Sequence, residues 1–153
     1  MKTYRSFGAL ARALSRTVAE LPNTYSAAMR AGALAVQDDA KERIGHYQAA
    51  WAALAPSTVA EKTRLGYAGG PIPGGDGGDN PLLRTGETRD SIGCWSSQHE
   101  FIVGSTSDIL KFQEFGTATI PPRPVLGPAM MHTMPFAVKV LGRAVAATLR
   151  NEP

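Results

Sequence analysis

The segment Gly74-Gly75-Asp76-Gly77-Gly78-Asp79 carries the G-G-x-G-x-D spacing that binds calcium when it recurs in stacked turns. Here it occurs once, and a lone turn has no neighbour with which to share an ion, so loop composition explains it better. No G-K-[S/T] follows these glycines, which removes the phosphate-cradling reading. His46, His99 and His132 lie far apart, with no H-E-x-x-H and no paired cysteines, so no metal site is expected. No nucleophile elbow surrounds any serine. Glu87 and Asp90 stand at helical spacing and could be read as a carboxylate pair. Near the start of a short helix they more simply complement its dipole. Cys94 excludes an internal disulfide, fits a reducing compartment, and is expected at a core strand position beside Trp95. No enzyme, cofactor or metal follows from these residues.

The remaining chemistry is that of contact. Pro121, Pro122 and Pro124 hold the chain extended and lower the entropy lost when such a segment is ordered on a partner. Arg123 among them offers a planar charged fork suited to a carboxylate or a backbone turn. Two readings stand side by side: a projecting contact element, or a linker with Arg123 stapling it internally. Arg12 and Arg16 pose a similar question. They lie on a basic amphipathic helix whose apolar stripe is expected on the core, while its arginines face water or a partner. Arg12, Arg16, Phe115, Pro122, Arg123 and Pro124 are therefore the candidate partner-binding residues.

The elements that must position them follow from periodicity. Phe7, Leu10, Leu14, Val18 and Leu21 recur at helical steps. Pro22 is expected to break or kink that helix, with Thr24 capping a second segment to about Ile44 and Gly45 stopping it. The face of Ala28, Ala31 and Ala35 predicts close approach of another element. Trp51 and Leu54 mark an apolar stretch over 47–55, and Ser57 is expected to cap a short helix. Seven glycines in the thirteen residues 66–78, with Pro71 and Pro73, predict a mobile loop over 66–80.

Thr85-Gly86-Glu87-Thr88 reads as a capped turn into a strand containing Ile92, Cys94 and Trp95. A hairpin through residues 96–99 then leads to a strand at Phe101, Ile102 and Val103. Ser107 or Asp108 caps a helix through Phe112 and Phe115 that Gly116 closes. An extended proline arm spans 117–125. The last helix runs to about Arg150, with Val138, Leu141, Val145 and Leu149 on one face and Pro135 kinking or restarting it. The order predicts an α+β fold, with N-terminal helices and a C-terminal helix packed on a small antiparallel sheet.

Composition sets the limits. A chain of 153 residues with 43% hydrophobic content is expected to form one domain, 1–153, with a core of its own. The net charge of +3 is too small to argue for nucleic acid by itself. Its distribution leaves both termini basic: Lys2, Arg5, Arg12 and Arg16 precede the first acid, Glu20, and Arg123, Lys139, Arg143 and Arg150 dominate the far end. No run approaches the length of a membrane span, and no continuous apolar stretch near the start suggests a secretory signal.

Several short pieces, in order, carry a resemblance. They are Leu54-Ala-Pro-Ser-Thr58, Leu83-Arg-Thr-Gly-Glu87 running on to Arg89-Asp-Ser-Ile92, Val103-Gly-Ser105, Phe115-Gly-Thr117, Pro122-Arg-Pro124 and Leu126-Gly-Pro128. Over residues 25–150 the chain resembles the tail-completion and neck proteins of long-tailed bacteriophages, the family of the lambda minor tail protein Z. The glycine-rich loop is longer, and Pro135 interrupts a helix that is unbroken in that family. The resemblance implies a non-enzymatic virion protein that completes the tail end or sits in the neck. It would form a ring of about six copies around the DNA channel, assembled in the host cytoplasm, with no cofactor and no membrane. Its partners would be other copies of itself, the tail terminator or tail tube protein, and head–tail connector or adaptor proteins, close to packaged DNA. A head-completion adaptor is the nearest alternative. A DNA-binding module using the basic termini is the alternative of a different class.

Overall fold

The computed structural model describes residues 5–67 and 79–150. Most of the loop expected over 66–80, including all but the last residue of the calcium-like hexad, lies outside the described residues. The elements run α1 (Phe7–Arg43), α2 (Pro56–Arg64), α3 (Glu87–Asp90), β1 (Ile92–Ser96), β2 (Phe101–Ser105), α4 (Asp108–Phe115) and α5 (Leu126–Arg150). The fold is α+β, the described residues forming two long helices and three short ones around one antiparallel hairpin.

α1 is a single helix of 37 residues, about 55 Å long at ~1.5 Å per residue. Ser6 caps it, its hydroxyl accepting from the Ala9 amide, and Lys41 and Arg43 sit favourably in the last turn. Gly45 ends it as expected, at φ 100, where its amide donates to the Pro81 carbonyl. The expected break at Pro22 is absent. Thr24 is not a cap: its hydroxyl bonds the Glu20 carbonyl within the helix, and Ser26 bonds the Pro22 carbonyl. An interior proline frees the carbonyl four residues back. For Pro22 that residue is Val18, and for Pro135 in α5 it is Met131, 65% and 77% exposed, so water can reach both turns. α5 also continues through its proline without restarting.

α1 and α5 pack antiparallel, as three contacts show. Thr24 meets Thr148 (3.0 Å between hydroxyls), a Cβ at Gly32 would lie 3.2 Å from the Ala137 Cβ, and Asp39 meets His132 at 2.7 Å. The buried face of α1 over this stretch is Ala28, Gly32, Ala33, Val36 and Ala40. The small residues here let the axes approach, although of the expected face only Ala28 is buried, Ala31 and Ala35 being half-buried.

The hairpin pairs Cys94 with Val103 and Trp95 with Ile102, and its inner face rests on α1. There Gln37 bridges helix to strand, donating to the Ile92 carbonyl (3.0 Å) and accepting from the Cys94 thiol (3.0 Å). The core gathers Val36, Ala40 and Ile44 of α1 with Trp51, Leu83, Ile92, Leu110, Val125 and Ala129. Cys94 itself is only half-buried at the edge of this core.

At α2 the cap is Ala55 and Pro56 opens the helix, so Ser57 lies inside it and not at the cap. The turn before α3 forms, but its cap is Gly86 at φ 95, with no side-chain capping hydrogen bond. The arm begins differently from expectation. Residues 117–120 curl into a turn, the Thr117 amide donating to the Ile120 carbonyl (2.9 Å), and the prolines beyond it lie outside any helix or strand.

Candidate functional site

Arg123 decides between the two readings of the arm. It is 5% exposed, and its Nη2 donates to the carbonyls of Ala52 (2.9 Å) and Ala53 (3.3 Å). Its own amide donates to the Gln113 carbonyl at 2.6 Å. The guanidinium thus ties the arm to the segment between α1 and α2 and does not project. Pro122 remains exposed and Pro124 half-buried. Phe115, 80% exposed, stands at the end of α4, where the chain reverses through Gly116 at φ 73. A Cβ there would lie 3.0 Å from the Ile120 carbonyl oxygen, so the reversal needs glycine.

Three side chains not singled out in the sequence hold this region together. Glu114 reaches from α4 to the start of α5, its carboxylate accepting from the amides of Val125 (2.6 Å), Leu126 (3.0 Å) and Gly127 (2.9 Å). An anion at a helix N-terminus meets both the free amides and the positive end of the dipole. Lys62 of α2 is 4% exposed and donates its ammonium to the carbonyls of Asp79 and Asn80. Burial lowers its pKa below the ordinary 10.5. The Tyr47 hydroxyl donates to Asp79 and accepts from the Leu54 amide; burial first, then Asp79, raises its pKa above 10.0. None of these has a local sequence signal, because each partner lies at least seven residues away.

The expected apolar stripe at the start of α1 is mostly open to solvent, with Leu10 and Leu21 half-buried. Phe7, Leu14 and Val18 are 90%, 52% and 65% exposed, while Ala13 and Thr17 are the buried positions there. Arg12 and Arg16 are exposed beside them. Lys139, Arg143 and Arg150 lie further along the helix pair, on α5, Lys139 being two residues from Ala137, which faces Gly32 of α1. Those three flank a shallow groove floored by Gly142, Ala146 and Ala147.

The expected face of α5 is also partly open, Val138 and Leu149 being 62% and 60% exposed. On the sheet, Trp95 and Ile102 pair on the outer face, 55% and 59% exposed, beside the glycine pair Gly93–Gly104. Ile109 and Phe112 add 60% and 49% on α4.

Among the described residues no three His, Cys, Asp or Glu side chains are grouped to hold a metal ion, and no helix is long and apolar enough to cross a membrane. Comparison with known protein families, with curated proteins and with solved structures finds no match to this chain.

Proposed function

We propose that this chain is a structural protein of a bacteriophage virion that completes the tail end and helps join tail to head, assembling as a ring of about six copies. The observation that carries the reading is the spread of large apolar side chains left open to solvent. They occupy the start of α1, the outer face of the sheet and the outer side of α4. Among the described residues the sheet has two strands, and no third strand pairs with either outer edge. α1 lies against the inner face of the sheet, whereas Trp95 and Ile102 point away from it. Unlike patches of this kind suit a head-to-tail contact that closes into a ring. The ordered motif resemblance gives that ring its setting in the tail or neck, with tail and connector proteins as neighbours. A head-side adaptor would use the same surfaces.

The exposed Arg12 and Arg16 of α1, with the groove flanked by Lys139 and Arg143 on α5, favour a second reading, in which these residues bind DNA directly. Such binding weakens steeply with salt and needs no ring.

The test is electron microscopy of lysates from the parent phage or prophage lacking this gene. Filled heads beside separate tails of normal length are the expected result. Intact infectious particles would refute the assembly role, and salt-sensitive binding of purified protein to bare DNA would then favour the second reading.

A further inference from the structure

A cavity of about 440 Å³ opens between α2, the segment 82–88 and α4, with Arg123 in its wall. That volume lies within the range of small-ligand sites, ~300–1,000 Å³. Its apolar surface comes from Leu54, Leu82 and Ile109, and among the described residues its charge comes from Lys62, Arg84 and Arg123 against Glu87. Lys62 and Arg123 are each more than nine-tenths buried.

Two further observations mark this cavity as built to receive something. Buried side-chain atoms in its lining residues find no hydrogen-bond partner among the described residues: the Arg123 Nε–H donor and the Gln113 Oε1 acceptor. Leaving such a group unpaired costs about 1–3 kcal/mol, and both atoms lie just beneath the accessible lining. Leu82, in the same wall, is held at φ 63, a conformation rare for a branched side chain. Strain of this kind concentrates where a backbone is shaped around a ligand. Arg84 lies at the rim, stacked over Tyr67 at 5.1 Å and 3.6 Å from Glu61.

We propose that this cavity binds a carboxylate carried on an apolar body. The carboxylate meets the cationic wall of Arg84, Arg123 and Lys62, and the apolar body lies against Leu54, Leu82 and Ile109. A peptide chain end with a hydrophobic last residue and a free aromatic acid share this chemistry. The inference goes beyond the assembly reading and does not depend on it, since it concerns the isolated chain.

The test is a titration of the full ¹⁵N-labelled chain with acetyl-Leu-Phe, with phenylbutyrate, and with the uncharged acetyl-Leu-Phe amide. Saturable shifts confined to the amides of residues 54–62, 82–88 and 109–113 are expected with the two acids. The amide should bind about tenfold more weakly, the loss expected for one charge-assisted contact. Saturation by the peptide alone identifies a chain end as the ligand, and saturation by both acids shows that a free acid suffices. Arg84→Gln, half-exposed and away from the core, should weaken both acids about tenfold without moving the melting temperature. No saturable shift with either acid, equal binding of acid and amide, or unchanged binding to Arg84→Gln would each overturn the proposal.

Discussion

Removing the Arg123 side chain should destabilise the fold, and the size of the loss can be worked from its contacts. Two hydrogen bonds from a charged donor, to Ala52 and Ala53, contribute about 1.5–3 kcal/mol each. Both acceptors lie in an exposed segment, so their carbonyls regain water when the donor is gone. Deletion also relieves the buried, unpartnered Nε–H, which offsets about 1–3 kcal/mol. Arg123→Met, which keeps the aliphatic stem, should therefore lose about 2 kcal/mol. Arg123→Ala also loses the packing of the stem, for about 3–4 kcal/mol in all. At about 2–4 °C per kcal/mol for a chain of this size, the melting temperature should fall about 4–8 °C for Met and 6–16 °C for Ala. Thermal unfolding followed by circular dichroism gives both values, and urea unfolding checks them. If Arg123→Ala melts within about 1 °C of the parent, the stapling account is wrong and the arginine is a projecting contact after all.

Other consequences follow from single positions. Gly116→Ala should cost more stability than Gly86→Ala, because Gly116 (φ 73, ψ 176) would set its Cβ 3.0 Å from a backbone oxygen, whereas at Gly86 the nearest atom, at 3.6 Å, belongs to a side chain that can move. Equal melting temperatures for the pair would contradict this. Tyr47 holds its proton in the folded state where the unfolded chain has lost it, so stability should fall as pH rises through 10.0 and above. The Tyr47 ring-carbon shift should titrate later than a model phenol, and a normal midpoint would remove the effect. Acrylamide should quench Trp95 readily and Trp51, 8% exposed, poorly. If the sheet face joins copies, ring formation should protect Trp95, and Trp95→Ser should block the ring while leaving the melting temperature within about 1–2 °C of the parent.

Local signals read well from the sequence and long-range ones did not. Gly45 and Gly116 mark element ends because positive φ is a property of one residue, and Ile92, Cys94 and Phe101 mark strands by type and alternation. Pro22 misled because an interior proline is tolerated where the freed carbonyl can reach water, which depends on which side of α1 faces solvent. Leu14 and Val18 misled for a related reason. Periodicity identifies an apolar stripe but not whether the fold supplies anything to cover it. Ser57 lost the cap to Ala55 because Pro56 is better suited to the first helical turn. Arg123 was undecided in sequence since its acceptors lie about seventy residues upstream. The cavity around Lys62 and Gln113 was invisible for the same reason, its walls being drawn from α2, α4 and the turn between Leu82 and Thr88.

The pairing of α1 with α5 joins segments far apart in the chain, Thr24 to Thr148 being separated by 124 residues. At ~5–20 residues per second of synthesis, α1 waits on the order of 6–25 s for the helix that covers it. The hairpin arrives sooner, since Gln37 meets Ile92 after only 55 residues. α1 and the sheet can thus associate on the ribosome while the face of Ala28, Gly32 and Ala33 is still open. During that interval the α5 of a neighbouring copy is as good a partner as the chain's own. Where many copies are made side by side, the order of synthesis itself favours exchange of α5 between them, and the connection from Thr117 to Val125 then sets which copy each helix can reach.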